Sequence, residues 1–256
     1  MSKKVNLNAD LGESFGAWSM GADELILPLI GSANLACGFH AGDPLVMRNT
    51  LRLAKKNGVS VGAHPAYPDL QGFGRRRMTI AADELEAIIL YQIGALSGLA
   101  RAEGTEVTHV KPHGALSNMA CENDKIAETV ARAIKAHNSD LILLAPALSP
   151  LAAAGKAADL KVVQEIFADR AYLDDGQLVP RSRPDAMIHG ADNALAHVEA
   201  MLSEGAIVCA SGKRLPTEIG SICVHGDGPD AVEIARHLRQ ALEGKGYELV
   251  GLPALV

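Results

Sequence analysis

Seven short apolar runs alternate with longer helical stretches from one end of the chain to the other, and this alternation constrains the fold more than any other feature. The runs are Val5–Asn8, Asn34–Gly38, Val59–Ala63, Val107–Lys111, Leu141–Ala145, Lys161–Ile166 and Ser221–His225. The clearest helical stretches are Asp43–Asn57, Asp83–Glu103, Asp124–His137, Asn193–Glu204 and Asp230–Glu243. A strand that feeds a helix and then another strand builds a parallel sheet. Units repeated this way, with no linker between them, predict an α/β chain. The expected fold is a seven-stranded parallel β/α barrel, one domain over residues 1–256. The length agrees, since a complete barrel of this kind takes roughly 250 residues. An open doubly wound sheet is the other arrangement. No Gly-x-Gly-x-x-Gly follows the first run, which weakens its nucleotide-binding version.

Composition excludes several classes of function. Apolar residues are 48% of the chain but aromatics only 4%, so the core must be aliphatic and rich in alanine. The net charge is -6 and no basic face stands out, which argues against nucleic acid. No apolar run approaches the ~18 residues of a membrane helix. Met1-Ser2-Lys3-Lys4-Val5 leads straight into an apolar strand without a signal-like segment, and the four cysteines form no paired framework. A reduced, cytoplasmic setting is expected.

Polar residues collect after nearly every strand, on its C-terminal side. Asn8, Asp10 and Glu13 follow the first, His40 and Asp43 the second, His64, Tyr67 and Asp69 the third. Lys111 and His113 close the fourth, Glu165, Asp169 and Arg170 the sixth, His225 and Asp227 the seventh. In a barrel these ends meet at one mouth, where catalysis sits. Asp43 precedes Pro44 and reads first as a helix cap. His109 and Asn34, inside strands, read as satisfied core polars. Asp10, His40, His64 and His113 have no such structural reading. Asp and His from separate strands, with Cys37 or Cys223 as soft ligands, suit a divalent metal such as Zn²⁺ or Mn²⁺, but no compact His-x-x-x-His or Cys-x-x-Cys fixes a ligand set. The run Gln71-Gly72-Phe73-Gly74-Arg75-Arg76-Arg77 reads as a solvated charge cluster or as an anion clamp, and Lys111 as a holder of an oxyanion or phosphate. There is no P-loop and no Gly-x-Ser-x-Gly elbow.

Several motifs, in order, resemble the LamB/YcsF family: Asn8-Ala-Asp10-Leu-Gly-Glu13, Cys37-Gly-Phe-His40-Ala-Gly-Asp43-Pro44, Gly62-Ala-His64-Pro65, Tyr67-Pro-Asp69-Leu-Gln-Gly-Phe-Gly-Arg75, Lys111-Pro-His113-Gly-Ala-Leu, Glu165-Ile-Phe-Ala-Asp169-Arg170 and Val224-His225-Gly-Asp227. Ser117 departs from the family, which usually carries Tyr there. The resemblance implies a barrel like those of glycoside hydrolases and deacetylases. It implies the A-subunit role in bacterial 5-oxoprolinase: ATP-dependent opening of the lactam 5-oxo-L-proline to L-glutamate, with Mg²⁺-ATP as co-substrate bound in this chain or its partners, and with subunits B and C. On that reading Asp10, His40, His64, Lys111 and His113 are catalytic, His113 as the acid. Asn8, Glu13, Tyr67, Arg75, Glu165, Asp169, Arg170, His225 and Asp227 hold substrate. Two other classes stay open: a metal-dependent amide or sugar deacetylase, and a protein that only binds substrate for its partners.

Overall fold

The computed structural model describes residues 3–224 and 231–256. Its elements are β1 (Lys3–Leu11), α1 (Asp23–Ile26), β2 (Ser32–Ala36), α2 (Pro44–Lys56), β3 (Ser60–His64), α3 (Ala82–Ala102), β4 (Val107–Val110), α4 (Gly114–Ala120), α5 (Asp124–His137), β5 (Ile142–Pro146), α6 (Pro150–Ala157), β6 (Lys161–Phe167), α7 (Ala191–Glu204), β7 (Ala206–Val208), β8 (Arg214–Pro216), β9 (Ser221–Val224), α8 (Ala231–Gly244) and β10 (Tyr247–Leu249). Strands β1 to β6 and then β9 pair in parallel, and β9 returns to β1, closing a seven-stranded barrel. β10 adds to the start of β1, and β7 with β8 makes a separate antiparallel ribbon. Among the described residues no helix is long and apolar enough to cross a membrane.

The two faces of each strand go to different places. Along β1, Val5, Leu7, Ala9 and Leu11 join the main core beneath the helices. The alternate residues Asn6, Asn8 and Asp10 are also buried, but inside the barrel. There they bond across strands: Asn6 Nδ2 donates to Ser32 Oγ at 2.9 Å, Ser221 Oγ donates to Asn6 Oδ1 at 2.7 Å, and Ser32 Oγ meets Ser60 Oγ at 2.6 Å. Buried polar groups must be matched, and along β1, β2 and β3 the inward groups are matched by their neighbours. Gly62 faces this interior, where a Cβ would overlap the His109 ring.

One side of the interior is different. Ile142 and Leu144 of β5, Val163 of β6 and Leu252 form a small apolar cluster apart from the main core. Leu252 lies in a 3₁₀ turn, Leu252–Ala254, and its N–H donates to Ser32 Oγ at 3.0 Å. That turn stoppers the N-terminal end of the barrel.

Helix α2 is set by local sequence. The Asp43 carboxylate accepts from Leu45 N at 2.8 Å and Val46 N at 3.2 Å, and Pro44 supplies the first turn. Lys55 and Lys56 sit in its last turn, where they complement the helix dipole. The strand expected at Asn34–Gly38 lies instead at Ser32–Ala36, because Gly38 turns the chain with φ +93. Helices α4 and α6 and strand β10 are too short to carry a period the sequence could reveal.

Candidate active site at the C-terminal ends of the strands

At the centre of the barrel Lys111, just past β4, carries the ammonium about which the site is organised. Its Nζ donates to Asp10 Oδ1 at 2.9 Å, Asn8 Oδ1 at 3.2 Å and Cys223 Sγ at 3.0 Å, and lies 3.2 Å from Glu165 Oε2. Burial opposes this charge, but Asp10, Cys223 and Glu165 outweigh it and hold the Lys111 pKa well above its usual range. Glu165 is pushed up, by burial first and then by Asp10, against the pull of Lys111. Its Oε1 is buried without a hydrogen-bond partner. Asn8 Nδ2 ties Glu165 Oε2 at 3.2 Å and Ser221 Oγ at 2.8 Å. Asn34 Nδ2 donates to Asn8 Oδ1 at 2.8 Å and to Asp10 Oδ1 at 2.9 Å. Its Oδ1 accepts from His109 Nε2 at 3.0 Å. Asp10 is therefore oriented from two sides and remains near the cavity surface, 9% exposed.

Above this level sit three imidazoles and a carboxylate, each from a different strand end. Glu13 follows β1, His40 follows β2, His64 ends β3 and His113 precedes α4. All four residues are buried. His64 Nε2 lies 3.4 Å from Asp10 Oδ2 and 3.0 Å from His113 Nδ1. Glu13 Oε1 is 3.2 Å from His40 Nε2 and 3.6 Å from His113 Nδ1. His40 and His113 stack with ring centroids 3.7 Å apart. Burial, then the neighbouring imidazoles, lowers the pKa of both His40 and His113 well below the usual range. Four metal-capable donor atoms, one from each of Glu13, His40, His64 and His113, lie within 4.8 Å of one another.

Second-row residues fix these rings. His64 Nδ1 donates to Lys111 O at 2.6 Å, and His113 Nε2 donates to Phe73 O at 2.8 Å. Phe73 reaches that position with φ +55, a conformation uncommon outside glycine. The Asp69 carboxylate holds the turn by accepting from Gly72 N at 3.0 Å and pairing with Arg76. Gln92, buried on α3, brackets Ala66 with a bond of 2.9 Å to its N–H and another of 2.9 Å to its carbonyl.

Asn8, Asp10, Glu13, His40, His64, Lys111, His113 and Glu165 thus converge as expected. Others do not join them. Tyr67 packs in the main core, and its hydroxyl meets Met119 Sδ at 3.4 Å, because the loop after β3 turns its ring outward under α4. The arginine run divides: Arg76 pairs with Asp69, Arg77 with Glu122 at 2.7 Å, and Arg75 lies over the Phe73 ring at 4.9 Å. The buried Arg170 guanidinium donates to Val179 O at 2.7 Å and Ala186 O at 3.4 Å, so it braces its own loop, and Asp169 accepts Ile188 N at 2.9 Å through its backbone. Cys37 Sγ donates to Leu35 O at 3.1 Å, and burial pushes its thiol up to about 12. His225 and Asp227 lie outside the described residues. Phe73 and Gln92 had no sequence signal. Asn34, His109 and Cys223 had one: Asn34 is two residues from Ser32, His109 from Lys111 and Cys223 from Ser221, so strand alternation puts each on the inward face.

Residues 5–255 match the LamB/YcsF family pattern. A protein of Azoarcus sp. (strain BH72), named as the A subunit of 5-oxoprolinase, is 62% identical over 98% of each chain. The crystal structure of a lactam utilization protein from Thermus thermophilus is 45% identical, covers 97% of this chain and 100% of that one, and superposes with a TM-score of 0.92. A T48 deacetylase solved with substrate shares the fold alone, with a TM-score of 0.52 at 14% identity over 99% of this chain and 90% of that one.

Proposed function

The chain belongs to the LamB/YcsF family, and from that premise we propose that it is the A subunit of an ATP-dependent 5-oxoprolinase, a cytoplasmic enzyme that opens 5-oxo-L-proline to L-glutamate with subunits B and C. The observation that carries the reading is the pair Asp10–Lys111, a buried carboxylate and ammonium 2.9 Å apart at the mouth of the barrel. Hydrolysis of a lactam needs a base for water, a cation for the oxyanion and a proton for the departing nitrogen. Asp10, oriented by Asn34 and beside His64, takes the proton from water. Lys111, its three protons already given to Asp10, Asn8 and Cys223, supplies the positive charge behind Asp10 toward which the developing oxyanion is drawn. The proton on Asp10 then passes to the ring nitrogen as the C–N bond breaks. His113 fits the acid role poorly, since its one proton is committed to Phe73 O.

The sequence carries no P-loop for ATP. Among the described residues Arg76 and Arg77 are paired with carboxylates and Arg170 donates to backbone carbonyls. The nucleotide and its Mg²⁺ are assigned to the partner subunits, which activate the lactam carbonyl. General acid–base catalysis alone contributes only ~10²–10⁴-fold. The test assays glutamate and phosphate release by the purified chain with Mg²⁺-ATP, then with the partners added. Turnover is expected only in the assembly. Release of both products by the isolated chain at the full rate overturns the division of labour. In the assembly, Asp10→Asn should lose at least ~10²-fold in turnover while still binding substrate. Near-normal turnover removes Asp10 from the reaction and favours a binding-only role.

A second reading, hydrolysis of an acetylated amide or sugar, draws on the four-donor group. Acetate release from such substrates, without ATP or partners, would establish it in place of lactam opening.

A further inference from the structure

We propose that Glu13, His40, His64 and His113 bind one divalent transition-metal ion in the upper layer of the barrel. The inference is independent of the reaction assigned above.

It begins with hydrogen counting. Carbonyl oxygens only accept, so the ring nitrogens facing Lys111 O and Phe73 O carry the protons of His64 and His113. Their other nitrogens, His64 Nε2 and His113 Nδ1, are then bare lone pairs, and they face each other at 3.0 Å. Two lone pairs at that distance repel unless a cation lies between or beside them. Glu13 Oε1 sits 3.6 Å from one of these nitrogens, and Asp10 Oδ2 3.4 Å from the other. Every atom turned toward this point, except one ring nitrogen of His40 whose tautomer nothing fixes, is an electron-pair donor.

The spacing suits coordination. Ligands at ~2.1 Å in a tetrahedron stand roughly 3.4 Å from each other. The observed separations of 3.0, 3.2 and 3.6 Å lie around that value, and all four donors fall within 4.8 Å. The His40 and His113 rings, parallel and 3.7 Å apart, must swing out of their stack for both lone pairs to meet one ion. The outer contacts suit it too. Metal-bound imidazoles characteristically donate their far N–H to a carbonyl or carboxylate, which fixes the ring and its tautomer. His64 and His113 both do so. Three imidazoles and one carboxylate select zinc, cobalt, nickel, iron or manganese over calcium and magnesium, which take oxygen ligands. The ligands come from four separate loops, so no short spacing motif announces them. A bound ion would sit beside Asp10 and polarise the same water.

The alternative is a single proton shared by His64 and His113, and the experiment separates the two. The full-length chain is purified without chelator and its metal content measured by mass spectrometry. It is then stripped and titrated with Zn²⁺ against a chromophoric competitor, and with Co²⁺ while following visible absorption. About one ion per chain, and the visible bands of a nitrogen-ligated Co²⁺, are expected. Glu13→Gln and His113→Gln should each weaken Zn²⁺ binding by at least ~100-fold. His137→Gln, on the outer helix α5, should not. If a ligand variant fails to fold, the wild-type stoichiometry and Co²⁺ spectrum decide. Wild-type protein that binds Zn²⁺ no better than the variants, or substoichiometrically, overturns the site.

Discussion

The inside of the barrel has two unlike sides. From β1 through β4 the inward rows read Asn6, Asn8, Asp10, then Ser32 and Asn34, then Ser60 and His64, then His109 and Lys111, all bonded to one another. Across from them Ile142, Leu144 and Val163 close on Leu252 with no polar atom among their side chains. The first side is held by matched charge and hydrogen bonds, the second by filled volume. A polar interior is costly unless every group is satisfied, and an apolar one is costly only if it leaves a void. The candidate site lies on the side where removing one partner has consequences for all the others.

Three measurements sharpen or break this contrast. The largest effect is expected from Lys111→Met, which keeps the volume but strands Asp10 and Glu165. It should lower the unfolding free energy by about 3–5 kcal/mol in denaturant melts. A stable variant would mean that the two carboxylates take up protons with little penalty, and the polar side would not be charge-matched. Leu252→Ala should cost about 3 kcal/mol, a cavity effect on the apolar side. It should leave kcat unchanged at temperatures where the chain is folded; loss of activity would show that the sides are coupled. The smallest effect is on acid stability. Burial, then Lys111 and His64, lowers His109 to about 3. Its folded pKa lies below the ordinary value of about 6.5, so it stabilises fully above pH ~6.5 and this stabilisation is lost as pH falls from there toward 3. Wild type should therefore lose stability faster than His109→Gln, by about 1.4 kcal/mol per pH unit between pH 6 and 4. Parallel curves would mean that the imidazole carries no such penalty.

Strand positions, their parallel order and most of the converging residues were legible in the sequence, because they depend on period and on the rule that strand ends share a mouth. Helix α5 occupies the expected Asp124–His137. Reach was not legible. Whether Tyr67 points into the cavity or beneath α4 depends on the turn at Pro65–Ala66, which Gln92 fixes from a helix 26 residues away. Arg75, Arg76 and Arg77 are equivalent as letters and differ only through Asp69 and Glu122. The tautomers of His64 and His113 depend on backbone carbonyls, to which side-chain patterns are blind. The parity of Asn34 and His109 with the mouth residues was present in the sequence, but a structural reading accounts for them equally well until the partners are known.

The closure of β1 onto β9 also bears on how the chain comes together. On one edge β1 finds Asn34 of β2 from Asp10, 24 residues away, and on the other Asn6 finds Ser221, 215 residues away. Joining ends so distant adds little to the equilibrium cost, since loop entropy grows by only about 0.6 kcal/mol per doubling of length. It does slow assembly, because rates fall as contacts become less local. If β1 to β4 pair before β9 docks, they stand as an open sheet. Its inner surface offers asparagine, serine, histidine and lysine to water, where an ordinary barrel would offer valine and isoleucine. Such a half-built sheet is less adhesive than its apolar counterpart. The groups that converge at the mouth of the finished barrel would therefore act as solubilising groups on the nascent chain.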